Sequence, residues 1–344
     1  MRAMELAILT FLLPIVSPLP IRPTEEDEVP ACRWMSHLPE KATNISLCHI
    51  AIPGTHNSGT YSIKESSAIS PDMNLDILTS FFSIFFNIKF NKWSVTQRTN
   101  LTTQLQSGIR YFDFRVALKR EGCKGIQSKS SVETYPCFYI VHGQYANRVN
   151  VELEEIKGYL VDHPKEVVVI DFQHFHKFDD TANGVFAEMV KKVFGDMLEP
   201  YRTQIPSLAE LWSRKKQAIV IGHKKTLPTE EEGVSLIWPR SAISQPWPNT
   251  RNPKTLKKYL SKAYESWMNK IGTGNFFVFQ GILSPNIEFI ITHPFSGVEK
   301  LAKKANVEVE KWLDGLESLR GIVITDFSIM GFSNFARSVF SMNW

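Results

Sequence analysis

Five residues suited to acid-base chemistry stand at or just beyond the ends of short apolar runs: His56, Asp113, Arg115, His142 and Asp326. An imidazole titrates near neutral pH, so one histidine can remove a proton from an attacking hydroxyl while the other protonates a leaving oxygen. A buried carboxylate beside a histidine fixes its tautomer, and an arginine binds phosphate through its planar guanidinium. These residue types predict general acid-base catalysis on a phosphate ester.

Each of these residues also has a structural interpretation. A single histidine at a strand end is more often a buried or turn residue than a catalytic one. Asp113 and Arg115 are two positions apart on one strand face, which fits a salt bridge equally well. His174 and His176 also share a strand face, but no carboxylate or cysteine accompanies them, so they are weak metal ligands. The catalytic interpretation therefore requires that the strand ends converge.

The apolar runs predict parallel strands covered on both faces, because they are continuously apolar and alternate with helical segments. Helical spacing is clearest over 147–164, where Pro164 forbids continuation. Eight runs predict a closed barrel, with an open doubly wound sheet as the alternative. The carboxyl ends of barrel strands meet at one mouth, which would collect the polar residues. The runs are 48–52, 109–118, 138–143, 166–173, 217–223, 234–238, 276–283 and 321–327.

The sequence resembles the phosphatidylinositol-specific phospholipase C X-domain family in five motifs that occur in order. They are "IAIPGTHNSGTYS", "KWSVTQ…TTQLQSGIRYFDFRV", "YIVHG", "IKGYLVDHPKEVVVIDFQHF" and "IVITDF". The likeness runs from about Trp34 to the C-terminus and is greatest to small members that consist of the X domain alone. It implies an α/β fold, a distorted TIM (β/α)8 barrel in a single domain. It also implies cleavage of the glycerol-phosphate bond of phosphatidylinositol-type lipids, either membrane phosphoinositides or inositol-lipid anchors.

The resemblance implies a role for each candidate residue. His56 would be the general base that deprotonates the inositol 2-hydroxyl, which then attacks phosphorus to give a cyclic inositol phosphate. His142 would be the general acid that protonates the departing diacylglycerol oxygen, and Asp326 would orient His56. Arg115 falls on the phosphate-binding arginine of the bacterial enzymes, and Asp113 falls on the acidic residue two positions before it. Under this interpretation Pro53 and Gly54 end the first strand, so that His56 reaches the mouth.

Calcium is the cofactor of the large eukaryotic members, which bind it through an Asn, two acidic residues and a Glu. Asn57 and Asp113 match two of these positions, but Arg115 and Gln173 occupy the other two. Calcium takes about six to eight oxygen ligands, and a guanidinium removes one donor and adds a repulsive cation. We therefore predict no cofactor and no metal ligand, with Asn57 and Arg115 binding substrate. Because the bacterial enzymes have Asp where this chain has Asn57, residual calcium affinity stays open.

The N-terminus has features of a secretory signal peptide, predicted over 1–20. Arg2 precedes an apolar stretch, 6–16, that is too short to span a bilayer, and a proline-rich exit follows. Glu5 and the absence of an A-x-A site leave a buried N-terminal helix or a short anchor as alternatives. The domain prediction is a signal peptide over 1–20, a linker over 21–33 and a catalytic barrel over 34–344.

Two further features agree with secretion. Sequons at Asn44 and Asn100 predict a glycoprotein. Four cysteines allow two disulfides in an oxidising compartment, one between Cys32 and Cys48 and one between Cys123 and Cys137, whereas in a cytosolic protein all four would be inert thiols. We therefore predict a secreted protein that is peripheral to a membrane.

Residues 76–93 are rich in phenylalanine and isoleucine and carry two lysines, Lys89 and Lys92, near their end, which predicts a peripheral membrane contact, with a core helix as the alternative. The formal net charge of +4 is too small to indicate nucleic acid binding, and the basic residues are scattered. The alternative to an active phosphodiesterase is a catalytically weak or silent phosphoinositide-binding barrel.

Overall fold

The computed structural model describes most of the chain. The described ranges are 29–73, 91–120, 138–223, 230–231, 234–270, 274–293, 295–329 and 334–344. The predicted signal peptide, the predicted linker up to residue 28, Cys123 with Cys137, and the predicted membrane contact up to residue 90 lie outside these residues.

A curled, mostly parallel sheet of ten strands forms the centre of the described fold. Eight strands follow one another in the order β10-β11-β12-β1-β2-β5-β6-β9, and β7 pairs with β8 in a separate small sheet. The strands are β1 (Ala51–Thr55), β2 (Tyr111–Leu118), β3 (Phe138–Val141), β4 (Tyr145–Arg148), β5 (Val168–His176), β6 (Ala218–Gly222), β7 (Glu230–Glu231), β8 (Val234–Ser235), β9 (Trp238–Pro239), β10 (Ile243–Ser244), β11 (Phe276–Gln280) and β12 (Gly321–Thr325).

The sheet curls into a distorted (β/α) barrel, which confirms the predicted fold class. Its two edge strands, β9 and β10, are neighbours along the chain, joined by the short 3-10 helix Arg240–Ala242. These two strands do not pair with each other among the described residues, so the barrel is not fully closed as the eight runs had predicted. Residues on β1, β6, β11 and β12 are buried throughout, as expected for strands covered on both faces.

Helices separate most of the parallel strands. The predicted helix over 147–164 is confirmed as α4, which ends before Pro164. No helix among the described residues combines the length and the apolarity needed to cross a bilayer. The α-helices are α1 (Glu40–Thr43), α2 (Asn91–Ser94), α3 (Leu101–Gln106), α4 (Val149–Asp162), α5 (Asp180–Phe194), α6 (Leu208–Ser213), α7 (Pro253–Met268), α8 (Ile287–Thr292), α9 (Val298–Leu313) and α10 (Phe335–Phe340).

Two predicted strands differ in the structure. The run 138–143 is not a parallel barrel strand, because β3 pairs antiparallel with the second half of β2 and continues as a hairpin into β4. The run 234–238 divides between β8 and β9. Burial of both faces gives parallel and antiparallel strands the same apolar pattern, so the sequence did not reveal the direction of β3.

Pro53 and Gly54 do not end the first strand, contrary to the prediction. Both lie inside β1 and pair with Val323 and Ile324 of β12. A Cβ at Gly54 would lie 2.9 Å from the Cβ of Tyr111, so glycine is required there for close packing against β2. The strand continues to Thr55, and His56 is the first residue beyond it.

A buried ion pair holds the N-terminal segment to the end of the barrel opposite the mouth. Glu166, just before β5, accepts from Arg110 Nε at 2.9 Å and Nη2 at 2.7 Å. The same carboxylate accepts from the backbone N–H groups of Met35 and Ser36, and Arg110 donates to the carbonyl of Cys32 at 2.8 Å. The described part of the predicted linker, 29–33, therefore contacts the barrel.

The predicted disulfide between Cys32 and Cys48 is not formed, and both thiols are free. Cys48 is buried, and its Sγ lies 3.1 Å from the hydroxyl of Ser46. Burial raises the pKa of the Cys48 thiol, which favours the protonated form. The two cysteines have different neighbours: the carbonyl of Cys32 accepts from Arg110, whereas the thiol of Cys48 lies beside Ser46.

Substitution Glu166→Ala should lower the free energy of unfolding by about 3–5 kcal/mol, because it leaves the Arg110 guanidinium buried and unpaired. Urea unfolding followed by circular dichroism measures the change. The exposed pair of Arg98 and Glu299 offers a matched control, since Glu299→Ala should cost less than about 1 kcal/mol. Equal costs for the two substitutions would contradict the structural role of the buried pair.

Candidate active site

The parallel register places three predicted site residues side by side at one end of the sheet. Thr55 of β1 pairs with Thr325 of β12 and with Phe112 of β2. The residues that follow these three are His56, Asp326 and Asp113. Because parallel strands point the same way, three residues distant in sequence become neighbours.

His56 is oriented by a carboxylate. Its Nδ1 lies 2.7 Å from Oδ1 of Asp326, which is buried. A carboxylate accepts, so Nδ1 donates and Nε2 carries the lone pair. Consistent with this tautomer, Nε2 accepts from Nδ2 of Asn57 at 3.0 Å, and the nearer oxygen of Asp113 lies 3.9 Å from Nε2. A histidine in this state is suited to act as a general base.

Asn57 shapes the turn beyond His56. Its φ of +43° lies in the left-handed region, which asparagine tolerates better than most residues. Its backbone N–H donates to Oδ2 of Asp113 at 3.1 Å, so Asp113 holds the turn. Burial is the main cause that raises the pKa of Asp113, and the nearby His56 opposes the shift.

His142 approaches His56 from the hairpin between β3 and β4. Its Nδ1 donates to the carbonyl of Ser94 at 2.7 Å, which again leaves Nε2 as the acceptor in the neutral ring. The two ring centroids are 6.3 Å apart, and the ring planes cross at 74°. The two imidazoles are therefore close enough to contact one phosphodiester group.

The charge of His142 depends on its surroundings. Burial, with repulsion from the Arg115 guanidinium, lowers the pKa of His142 to about 4. Asp72 opposes this shift, and its carboxylate accepts from the N–H of Gly143 at 2.9 Å. His142 is therefore neutral at pH 7, and an anion bound beside it would favour the imidazolium form.

Arg115 lies half-buried on β2, just after an irregularity in the pairing with β5. It forms no ion pair with Asp113, so the salt bridge that the spacing also allowed is absent between these two described residues. Its Nε is buried and has no hydrogen-bond partner among the described residues. A buried guanidinium N–H without an acceptor is suited to receive a phosphate oxygen.

Residues 94–97 support both histidines. This role of the segment was not predicted from the sequence. Ser94 binds His142, while the Thr96 hydroxyl and the Gln97 amide donate to the His56 carbonyl at 3.0 and 3.1 Å. Gln97 also donates to the carbonyl of Thr325 at 2.9 Å. The segment lies within "KWSVTQ", one of the motifs that resemble the X-domain family, and this resemblance was the sequence feature that could have indicated its role.

A second polar cluster lines the barrel beyond Asp113, and it too was not predicted. Asp171 of β5 lies 2.8 Å from Nε2 of His223 and accepts from the hydroxyl of Tyr111 at 2.7 Å. Gln173, which stands at one of the calcium-ligand positions of the large members, donates to Gln245 at 2.9 Å. Asp171 lies inside an apolar run. The sequence alone does not show whether such a carboxylate faces the inside of the barrel or only stabilises the fold.

The donor set does not fit calcium. Oδ1 of Asn57 and Oδ1 of Asp113 are buried oxygens without a partner among the described residues. Calcium needs about six to eight oxygens with enough negative charge, but Arg115 brings a positive charge to the site and Gln173 offers only a neutral amide oxygen. In the described part of the chain, no three His, Cys, Asp or Glu residues are grouped so that they could hold a metal.

Comparison with known proteins identifies the family of the chain. The family model "Phosphatidylinositol-specific phospholipase C, X domain" matches residues 81–229. PI-PLC X domain-containing protein 3 of Homo sapiens is 32% identical over 327 residues, which cover 93% of this chain and 95% of that protein. The chain belongs to the PI-PLC X domain family. PI-PLC X domain-containing protein 1 of Homo sapiens is 30% identical over 285 residues, 81% of each chain.

Solved structures share the fold of this PI-PLC X domain protein. A phosphatidylinositol-specific phospholipase C from Staphylococcus aureus that contains pentafluorophenylalanine superposes with a TM-score of 0.64 at 16% identity, covering 92% of this chain and 98% of that one. The enzyme from Listeria monocytogenes gives a TM-score of 0.62 at 19% identity, covering 90% and 99%. At this identity the likeness concerns the fold alone.

Substitution Arg115→Gln should raise the pKa of His142 above about 4, because it removes the repulsive cation, but not to 6.5, because burial remains. Imidazole titration by NMR measures this pKa. His176, whose pKa is also lowered by Arg115, should shift upward in the same spectra. An unchanged pKa at His142 would show that the guanidinium does not act on this ring.

Proposed function

We propose that this PI-PLC X domain protein is a phosphodiesterase that cleaves the glycerol-phosphate bond of phosphatidylinositol-type lipids without a metal. The observation that carries the proposal is the fixed state of both imidazoles. Nδ1 of His56 is held by Asp326 and Nδ1 of His142 by a backbone carbonyl, with ring centroids 6.3 Å apart. Each Nε2 can then serve in proton transfer at the same phosphate.

The proposed reaction has two coupled proton transfers. His56 takes the proton of the inositol 2-hydroxyl as that oxygen attacks phosphorus, and Asp326 stabilises the imidazolium that forms. The bond from phosphorus to the glycerol oxygen breaks, and His142 gives its proton to that oxygen. The products are a cyclic inositol phosphate and diacylglycerol. The substrate's own charge raises the pKa of His142, so the ring takes up a proton from solvent as the substrate binds and can then donate it.

Arg115 and Asn57 are the proposed substrate contacts. The Nε–H of Arg115 has no acceptor among the described residues, so a nonbridging phosphate oxygen can take that place and spread its charge over the guanidinium. Asn57 is already bound to Nε2 of His56, and its buried Oδ1 has no partner among the described residues. When the lipid binds, this amide can give up its hydrogen bond to Nε2 of His56 and form one with an inositol hydroxyl.

Exposed apolar side chains at the mouth support a peripheral membrane contact. Trp247, in the connection from β10 to α7, is 56% exposed, and its indole N–H donates to Ser284 at 2.8 Å. Ile287 of α8 is also exposed, and the Arg251 guanidinium lies 5.1 Å from the ring centroid of Phe289. These connections follow β10 and β11, so they border the same mouth as the histidines. We propose that they meet the lipid surface together with residues 76–93.

Secretion remains part of the proposal. Both sequon residues, Asn44 and Asn100, are exposed. Asn100 caps α3 through Oδ1, which accepts from the N–H of Thr103 at 2.9 Å, so the side-chain nitrogen is not used by this bond. Exposure of both side chains is compatible with a secreted glycoprotein.

A catalytically silent lipid-binding barrel is the second candidate function. One observation favours it: the pKa of His142 is lowered to about 4 by burial and by Arg115, so the free protein has little of the general acid in its charged form. A bound phosphodiester that failed to raise this pKa would be held but not cleaved.

Substitutions His56→Ala and His142→Ala should each lower the turnover of phosphatidylinositol vesicles by about 10²–10⁴-fold, because each removes one proton transfer. Assays in excess chelator measure turnover, and sedimentation measures vesicle binding, which should not change. His163→Ala is a matched control, because His163 lies at the far end of α4. Loss of activity in chelator that calcium alone restores would contradict metal independence, and binding without turnover would favour the silent barrel.

Substitution Trp247→Ser should weaken vesicle binding by about tenfold, as expected for losing about 1.4 kcal/mol of apolar transfer energy. Turnover of a soluble inositol phosphodiester should stay at the wild-type value. Val161→Ser offers a control, because Val161 is 57% exposed but lies near the end of α4 away from the mouth. Equal effects of both substitutions would mean that the rim is not the membrane contact.

A further inference from the structure

A buried carboxylate behind the mouth connects the two segments that carry the histidines. Glu152 lies in the first turn of α4 and is fully buried. Both of its oxygens lie 2.8 Å from the hydroxyl of Tyr61, and Oε1 also accepts from Nδ2 of Asn147 at 2.7 Å. Tyr61 lies five residues beyond His56, and Asn147 belongs to β4 of the hairpin whose turn contains His142.

Further hydrogen bonds make these segments one unit. The N–H of Asn147 donates to the hydroxyl of Ser62 at 2.9 Å. The hydroxyl oxygen of Thr60 accepts from the N–H groups of Thr96 and Gln97 at 3.0 and 3.2 Å. The turn beyond His56, the supporting segment 94–97 and the hairpin are therefore mutually bound, and Glu152 bonds to two of the three.

The charge of Glu152 does not explain its presence in the fold. No Lys or Arg among the described residues forms an ion pair with it, and its donors, Tyr61 and Asn147, are neutral. Burial is the main cause that raises its pKa to about 7, and Glu155 on the same helix adds repulsion. Because the folded-state pKa exceeds the ordinary value of 4.5, ionisation of Glu152 destabilises the fold as the pH rises from 4.5 to about 7.

We infer that Glu152 is a positioning residue that sets the distance between the two imidazoles, by bonding the turn after His56 to the hairpin of His142. It does not touch the substrate and acts through Tyr61 and Asn147. The expected effect on catalysis rests on the proposed function, whereas the expected effect on the histidines themselves does not.

The inference is tested by variants that cut or keep the two links. Glu152→Ala removes the hydrogen bonds to both Tyr61 and Asn147, and Tyr61→Phe removes only the bond between Tyr61 and Glu152. Glu152→Gln keeps both, because its amide oxygen accepts from Asn147 and its amide nitrogen donates to the oxygen of Tyr61. Glu155→Ala is the matched control: Glu155 lies one turn further along α4 and accepts from the N–H and hydroxyl of Thr102, on α3, which carries neither histidine.

Two readouts are needed, the pKa of His142 by NMR titration and the values of kcat and KM on phosphatidylinositol vesicles. In Glu152→Ala the pKa of His142 should rise from about 4 toward 6.5, because the hairpin loosens and water reaches the ring. The kcat should fall by about 10–100-fold with KM within twofold, since misplacing a catalytic group by about 1 Å costs up to about 100-fold. Tyr61→Phe should give smaller shifts in the same directions.

Glu152→Gln should keep the wild-type kcat, and its melting temperature at pH 8 should not fall below that of the wild type, because no charge is buried. Glu155→Ala should leave kcat and the pKa of His142 unchanged. Should Glu152→Ala fail to fold, Tyr61→Phe and Glu152→Gln still decide the matter.

Three results separate the possible failures. If Tyr61→Phe leaves both the pKa of His142 and kcat at wild-type values, the inference is overturned. Equal losses of kcat in Glu152→Ala and Glu155→Ala would also overturn it, because the effect would then belong to α4 as a whole. If the wild type shows no turnover but the pKa of His142 moves as expected in Glu152→Ala, the positioning role stands and the proposed function has failed.

Discussion

The parallel pairing of β1 with β12 on one side and β2 on the other is the constraint on which the site depends. Because these strands share direction and register, Thr55 lies beside Thr325 and Phe112, and the residues that follow are His56, Asp326 and Asp113. Gly54 permits this close pairing, since any side chain there would meet Tyr111 of β2. The 2.7 Å contact between His56 and Asp326 is thus a consequence of the register between β1 and β12.

Charge around the mouth is arranged for an anion. The Arg115 Nε is buried without an acceptor among the described residues, and the same guanidinium helps to keep His142 neutral. A bound phosphodiester would accept a hydrogen bond from Nε of Arg115. Its negative charge, bound beside Arg115, would also favour the imidazolium form of His142. Under the proposed function, this is the form that the proposed general acid needs.

Much of this arrangement could be predicted from the sequence. Continuous apolar runs alternating with helical segments indicated the barrel, and polar residues at strand ends indicated where His56, His142 and Asp326 would meet. The direction of β3 was not readable, because burial gives either direction the same apolar pattern. Asp171 was missed since a carboxylate inside a buried strand has no local signal of its partner. Gly54 was taken for the end of a strand, because the packing of Tyr111 against it is a long-range contact that spacing does not reveal.

The proposed account states that two oriented imidazoles transfer protons at one phosphate while Arg115 takes the place of a metal. The most direct test is phosphorus NMR of phosphatidylinositol vesicles incubated with the protein in excess chelator. The account predicts the signal of a cyclic inositol phosphate, formed as diacylglycerol appears. Vesicles that stay intact while the protein binds them, or a cyclic product that forms only after calcium is added, would contradict it.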